Sequence, residues 1–188
     1  MKKKVLQTNK GFSLIELLVT ITVALILTFI AIPTFYDITT LSRTEAIQDE
    51  IIGALRFARY NAMINNRQII VCRSSNNKTC DNTSDWNGEW IIFEDYDYSN
   101  SCNSPDGITC SDGGKILGVR GGFSNTIKVT KNNKIRNFIK FNPMGEAPGY
   151  PCTFSICSSN GEIAKGVTLS MIGRVRKRIS NEAINCPK

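Results

Sequence analysis

An apolar segment, Phe12 to Phe35, constrains the fold of this chain more than any other sequence feature. As an α-helix its 24 residues would be about 36 Å long, which is enough to cross a bilayer. Four lysines and no acidic residue precede it, and this bias keeps the preceding residues cytoplasmic and sends the following ones outward. We therefore predict a membrane span over residues 12–35. Pro33 marks either a bend in the helix or the point where it leaves the bilayer.

Glu16 is the one charged residue inside this segment. A carboxylate near the centre of a hydrocarbon helix costs about 2.5 to 3.5 kcal/mol, and such groups are usually kept because something pairs with them. Glu16 therefore predicts a cationic partner. A cleaved signal peptide would also have a basic start and an apolar core. That alternative is disfavoured, because the segment is long for a signal core, contains a charge and is not followed by an A-x-A site.

The helical pattern continues beyond the apolar segment, over residues 36–66, where apolar residues recur every three or four positions. Residues 67–188 then contain eight short candidate strands separated by Gly, Asn, Ser and Pro. A long helix followed only by strands predicts an α+β fold, with the helix packed on one or two antiparallel sheets. The candidate strands are Gln68 to Cys72, Glu89 to Phe93, Lys115 to Val119, Thr126 to Thr130, Asn137 to Phe141, Thr153 to Cys157, Gly166 to Met171 and Arg174 to Ile179.

Seven cysteines lie on the side predicted to be outside, where disulfides are expected rather than metal sites. The chain has no histidine and no C-x-x-C motif, which argues against zinc. Two candidate pairs would each close a short polar loop, and the last cysteine could join either of two others, so one cysteine is left over. The candidate pairs are Cys72 with Cys80, Cys102 with Cys110, and Cys186 with Cys157 or Cys152.

Catalysis has little support in this sequence. Without histidine the common nucleophilic triads are excluded, and no phosphate-binding or dinucleotide-binding glycine motif occurs. We therefore expect no enzymatic activity, no cofactor and no metal. Glu94, Asp95 and Asp97 could form a calcium loop, but the sixth position is Asn100 where an EF-hand has glycine. A solvated acidic loop is the preferred interpretation.

Charge is distributed unevenly along the chain. Residues 1–71 carry 8 basic and 5 acidic groups (+3), residues 72–114 carry 2 and 8 (−6), and residues 115–188 carry 13 and 3 (+10). The densest basic run is G-R-V-R-K-R. In a strand its alternate residues Arg174, Arg176 and Arg178 would share one face, about 6.6 Å apart, close to two phosphate steps of about 3.4 Å along a DNA strand. The run therefore indicates either a nucleic-acid backbone contact or a contact with an acidic neighbour, such as the 72–114 region in a filament.

The N-terminal sequence G-F-S-L-I-E-L resembles the class III leader of type IV pilins and type II secretion pseudopilins. The resemblance implies that residues 1–11 are a leader, that a prepilin peptidase cleaves after Gly11, and that Phe12 is methylated. It also implies that Glu16 pairs with the terminal amine of a neighbouring pilin in a filament. The globular domain would then lie in the periplasm, anchored in the inner membrane, and reach the cell surface after assembly.

The whole pattern resembles the GspH/FimT family of minor pilins and pseudopilins. It combines the leader, the long helix, V-C-R-S, Cys80, G-E-W-I-I-F and a late G-R-V-R. The resemblance implies a type IV pilin fold and, from FimT-like members, DNA binding during natural transformation. A structural minor pilin and a type II secretion pseudopilin are the alternatives. The residues expected to contact DNA are Gly173, Arg174, Arg176, Lys177 and Arg178, with possible further contacts from Lys131, Lys134 and Arg136.

Overall fold

A computed structural model describes residues 11–81, 86–123, 127–131, 137–158, 164–178 and 186 of the 188-residue chain. This part of the chain forms one long helix followed only by strands, as predicted. The elements are α1 (Leu14–Asn65), β1 (Ile69–Ser74), β2 (Glu89–Glu94), β3 (Ile116–Gly121), β4 (Ile127–Lys131), β5 (Phe138–Phe141), β6 (Cys152–Ser158), β7 (Ala164–Leu169) and β8 (Val175–Arg178).

The chain divides into two compact units, Met1–Thr39 and Thr40–Lys188. In the first unit the threonine hydroxyls donate hydrogen bonds to carbonyls of their own helix, as Thr20 does to Leu17 at 2.8 Å. Its apolar side chains are exposed from Phe12 to Ile30. Over the described residues, no helix is both long and apolar enough to cross a membrane. The predicted span over residues 12–35 is therefore not confirmed, although α1 continues through Pro33.

In the second unit, α1 is amphipathic as predicted. Its apolar stripe of Ile47, Ile51, Leu55, Ala58 and Ala62 is at most 8% exposed. The helix ends with Asn66 in a left-handed conformation, φ 50°, and with a hydrogen bond from the N–H of the next residue back to the carbonyl of Ala62. This is a common way to end a helix, since the left-handed residue turns the chain out of the helical path.

Two four-stranded antiparallel sheets complete the second unit, in the orders β3-β2-β1-β5 and β4-β6-β7-β8. Each of the eight predicted strands is present within one or two residues of its expected bounds, although Thr126 and Ile179 lie outside the described residues. The main core contains side chains from the helix stripe and from strands of both sheets. The helix therefore packs on a pair of sheets, which is one of the two arrangements that the sequence allowed.

The other face of β1 and β2 carries a second, smaller core that contains disulfides. It includes Ile70, Ile91 and Phe93, which alternate with the residues of the main core and so point to the opposite face of the sheet. All six residues of β1 are consequently buried. The three disulfides are Cys72–Cys80, Cys102–Cys110 and Cys157–Cys186. The first two predicted pairs are confirmed, and the partner of Cys186 is Cys157 and not Cys152.

The odd cysteine is Cys152, which is 2% exposed in the main core at the start of β6. We predict that a thiol reagent labels native protein negligibly and labels one thiol per chain after denaturation without reductant, because burial blocks access. Labelling followed by mass spectrometry measures this, and Cys152→Ala serves as the unlabelled control. Rapid labelling of native protein, or a second thiol in denaturant, would contradict the disulfide pattern.

Candidate nucleic-acid interface

The predicted basic motif follows a tight turn between β7 and β8. The N–H of Ser170 donates to the carbonyl of Arg174 at 3.0 Å, and the N–H of Gly173 donates to the carbonyl of Ser170 at 2.9 Å. The Ser170 hydroxyl oxygen also accepts from the N–H of Arg174 at 3.1 Å. These bonds leave Met171 and Ile172 at the end of the hairpin. The turn therefore has a defined conformation directly before the arginines.

Gly173 is required by packing inside the protein. Its φ is +74°, and a Cβ atom there would overlap the carbonyl oxygen of Gly145 and lie 3.1 Å from Nε of Arg59. Gly145 lies in a second turn, after β5. A hydrogen bond of 2.8 Å from the N–H of Ala147 to the carbonyl of Met171 also joins this turn to the one before β8. Gly173 is itself buried. It therefore positions the arginines instead of contacting a ligand, and the close approach that it permits is to the chain's own backbone.

Side chains alternate along β8 as the sequence predicts. Val175 is 7% exposed and belongs to the main core, whereas Arg174 and Arg176 are exposed. Since successive side chains of a strand point to opposite faces, the two arginines share the face that points away from the core. No acceptor for either guanidinium is found among the described residues. Together they form a small cationic surface, which we call the arginine pair.

The remaining residues of the motif make different contacts. Lys177 is on the face of Val175, where its Nζ lies 2.6 Å from Oδ1 of Asp49 on α1. Arg178 is half-buried, and its carbonyl accepts a hydrogen bond from Nε2 of Gln48 at 3.4 Å. The sequence predicts that both residues contact DNA beside the arginine pair. Lys177 is exposed but is paired with Asp49, and Arg178 is half-buried. The ion pair with Asp49 depends on which sheet edge meets the helix, and no sequence signal indicates it.

Of the other predicted basic residues, the structure describes Lys131, which is not beside the arginine pair. Lys131 ends β4, which forms the opposite edge of the sheet from β8. Three strand spacings separate these edges, or about 14 Å. Lys134 and Arg136 lie outside the described residues. Lys131 and the arginine pair therefore lie at opposite edges of the same sheet.

The carboxylates of the acidic region hold its own loops. The N–H groups of Thr109 and Ile108 and the hydroxyl of Ser104 lower the pKa of Asp106 to about 2. Asp112 accepts hydrogen bonds from the N–H of Tyr96 at 2.8 Å and from the N–H of Gly114 at 3.0 Å. Asp106 and Asp112 therefore stabilise the conformation of their own loops by accepting hydrogen bonds from backbone N–H groups.

The acidic cluster differs from the predicted one. One carboxylate oxygen from each of Asp95, Asp97 and Asp112 lies within 4.8 Å of the others. Glu94 instead accepts hydrogen bonds from Asn65 and from the hydroxyl of Tyr96, each at 3.1 Å. Glu94 and Asp95 are also buried, so the expectation of a solvated loop was wrong for them.

Burial raises the pKa of Asp95, although Nε2 of Gln68 and the N–H of Asn100 donate to its Oδ2. Three clustered carboxylates could hold a divalent cation, but such groups are common without one. The arrangement arises because the 95–100 and 110–114 loops meet at the end of β2. No sequence pattern indicates that Asp112 belongs to the cluster.

Comparisons with known proteins agree on the class. Residues 6–32 match the prokaryotic N-terminal methylation motif. The fold resembles that of the type IV minor pilin FimU of Pseudomonas aeruginosa PAO1, with TM-score 0.53 and 19% identity over 79% of this chain and 95% of that one. It also resembles the minor pseudopilin EpsH of the Vibrio cholerae type 2 secretion system, with TM-score 0.50 and 11% identity over 74% and 99%. The chain therefore has the type IV pilin fold together with an N-terminal methylation motif.

The chain belongs to the GspH family, since the model for type II transport protein GspH matches residues 41–173. No curated protein matches it by sequence. The family match ends at Gly173, the residue before the arginine pair. The family match therefore covers most of the globular domain and a separate match covers the N-terminal motif, but neither includes Arg174 or Arg176.

We predict that Gly173→Ala destabilises the protein by about 2 to 4 kcal/mol, because Cβ adds overlap with Gly145 to an unfavourable φ. Gly149→Ala is the matched control, since φ there is +80° and nothing lies within 4 Å of the added Cβ. The control should lose about 1 kcal/mol from backbone strain alone. Thermal unfolding followed by circular dichroism compares them, and equal melting temperatures would show that the contact between the turns is unimportant.

Proposed function

We propose that this protein is a minor pilin of a type IV pilus that binds DNA through Arg174 and Arg176 and supports DNA uptake in natural transformation. The observation that carries the proposal is the arginine pair itself. Two exposed arginines, Arg174 directly before the edge strand β8 and Arg176 within it, flank the buried Val175 and follow a turn whose backbone is held by internal hydrogen bonds. The turn thus holds the backbone of both arginines in place.

Arginine suits a phosphate ligand. Its planar guanidinium can donate two parallel hydrogen bonds to one phosphate and keeps its charge at all physiological pH values. Alternate residues of a strand lie about 6.6 Å apart, so two arginines can reach neighbouring phosphates of one DNA strand. Such contacts carry no base sequence information. We therefore expect binding to DNA of many sequences, weakened strongly by salt.

The charge distribution supports DNA over an acidic pilin neighbour as the ligand of the arginine pair. Residues 115–188 carry 13 basic and 3 acidic groups. The acidic region of the same chain would be the counterpart in a filament, but Asp106 and Asp112 accept hydrogen bonds from their own loops and Asp95 is buried. These hydrogen bonds and the burial of Asp95 reduce the number of carboxylates in this region that are free to receive arginines from another subunit.

Assembly into a filament completes the proposal. A prepilin peptidase would cleave after Gly11, and methylation would follow at Phe12, in agreement with the methylation-motif match. The new amine would be cationic, with an ordinary pKa of about 7.7 to 8.0, and would pair with Glu16 of a neighbouring subunit. The exposed apolar side chains from Phe12 to Ile30 would then pack against other pilin helices. Before assembly we place the protein at the inner membrane, with its globular domain in the periplasm.

A type II secretion pseudopilin is the second candidate function. It is favoured by the description of the matching family, type II transport protein GspH, and by the fold likeness to EpsH. A purely structural minor pilin that primes pilus assembly would share the same fold and processing. Neither of these alternatives requires the arginine pair to bind DNA, so a DNA-binding measurement separates them from the proposed function.

We predict that Arg174→Gln/Arg176→Gln weakens DNA binding about tenfold or more at low salt. Two lost phosphate contacts should also reduce the slope of log affinity against log salt by about 1.8. Full-length protein in detergent is titrated into fluorescent duplexes of unrelated sequence, and fluorescence anisotropy gives the affinities.

The matched control is Arg43→Gln/Arg56→Gln, which removes the same charge from two exposed positions of α1. It should keep most of the affinity and nearly the whole salt slope. If both double variants bind alike, attraction by the net charge explains the binding and the proposed site is wrong.

We also predict that Glu16→Ala abolishes incorporation into pili, because the terminal amine of the neighbouring subunit loses its counter-ion. Immunoblotting of sheared pili against whole cells measures the incorporated fraction. Thr20→Ala is the control one turn later, since the Thr20 hydroxyl only donates to a carbonyl of its own helix. Normal incorporation of the Glu16→Ala protein would argue against assembly by this pairing.

A further inference from the structure

The turn that precedes the arginine pair presents two large apolar side chains to solvent. Met171 is 56% exposed and Ile172 is 61% exposed. They occupy the end of the β7–β8 hairpin, between Ser170 and Gly173, and we call them the apolar tip. Tight turns usually carry Gly, Asn, Asp or Ser at such positions, because these residues suit the backbone and are well solvated. The apolar tip therefore suggests a contact with a partner.

The tip is held in place on both sides. The carbonyl of Met171 accepts a hydrogen bond from the N–H of Ala147, and Gly173 packs on the backbone of Gly145. More than half of each side chain is exposed to solvent. A fixed apolar projection loses little conformational entropy when it enters a complementary site, which favours binding by preorganisation.

The charges beside the tip indicate what kind of site it enters. Arg174 and Arg176 follow the tip directly and are exposed, so a partner that covers the tip also meets two cations. Duplex DNA offers both kinds of surface together, since phosphates line the edges of a groove whose walls are sugars. Proteins that bind the minor groove commonly insert isoleucine, methionine or other apolar side chains while basic residues hold the backbone.

Single-stranded DNA fits this surface less well. Proteins that bind it generally stack the bases on exposed aromatic rings. Over β6, β7, β8 and the turn before β8, the one aromatic side chain is Phe154, which is fully buried in the main core. These strands and the turn before β8 therefore present no ring on which an unpaired base can stack.

We propose that Met171 and Ile172 enter the minor groove of double-stranded DNA while Arg174 and Arg176 bind phosphates at its edge. This inference rests on the proposed function and adds to it the form of the ligand and the groove that is used. It has a consequence for sequence preference. The guanine amino group projects into the minor groove and would be desolvated by apolar side chains, so A·T-rich duplexes should bind more tightly than G·C-rich ones.

The experiment compares full-length protein in detergent with Met171→Ser/Ile172→Ser. Anisotropy is measured with an A·T-rich duplex, a G·C-rich duplex and a single strand of equal length. We expect the unaltered protein to prefer the A·T-rich duplex, and the serine variant to lose about tenfold in affinity for it while keeping the salt slope. Netropsin, which occupies the minor groove, should displace the unaltered protein.

Two controls separate the tip from general effects. Ile108→Ser removes a side chain that is 65% exposed in the acidic region and should leave binding unchanged. Met171→Leu/Ile172→Leu keeps an apolar tip and should retain the A·T preference. Thermal unfolding followed by circular dichroism checks that each variant folds. If the serine variant does not fold, the leucine variant still tests the A·T preference.

The outcomes distinguish this inference from the proposed function. If Arg174→Gln/Arg176→Gln binds DNA normally, the proposed function fails and the inference fails with it. If that variant is impaired while the serine variant binds normally, or if netropsin does not compete, the arginine pair binds DNA and the minor-groove inference is overturned. Normal DNA binding by the serine variant with loss of pilus incorporation would assign the apolar tip to another pilin instead.

Discussion

Burial of one face of α1 is the interaction on which the rest of this structure depends. The stripe from Ile47 to Ala62 lies in the main core with side chains from strands of both sheets. The strands are short, and neither the helix nor a hairpin could bury enough apolar surface alone, since isolated elements of both kinds are marginal in water. The helix gives both sheets a common apolar face. The second core on the far side of β1 and β2, with its disulfides, then stabilises the long loops that the helix does not reach.

The same helix also orients the candidate site. Nε2 of Gln48 donates to the carbonyl of Gly166 in β7 at 2.7 Å, and Asp49 pairs with Lys177 in β8. One face of β8 is thereby directed to the helix, and the opposite face carries Arg174 and Arg176 outward. An edge strand normally has to be protected from pairing with other chains, and charged side chains are a common protection. The arginine pair can protect this edge as well as make the proposed phosphate contacts. The dependence of DNA affinity on salt concentration distinguishes the two roles.

Much of the fold could be predicted because local patterns and global packing agree. The helix stripe, the eight strands and two of the three disulfides follow from periodicity, turn residues and short cysteine spacing. The candidate site was predicted only in part. Alternation along β8 correctly separated Arg174 and Arg176 from Val175, but the ion pair of Lys177 and the distant edge position of Lys131 depend on strand order. The membership of Asp112 in the acidic cluster depends on which loops meet, and loop contacts of this kind have no periodic signal.

The sequence by itself determined the class of this protein. The processing motif, the position of Glu16 and the helix-then-strands order are local features that do not depend on how distant segments meet. Only the tertiary structure decided what each residue of the basic motif does. Gly173 is buried against Gly145, Lys177 is directed to the helix, and Arg174 and Arg176 remain exposed beside an apolar tip. The physical reason is that exposure and partners are set by contacts between segments far apart in the chain, and one run of six residues is distributed by those contacts over three different environments.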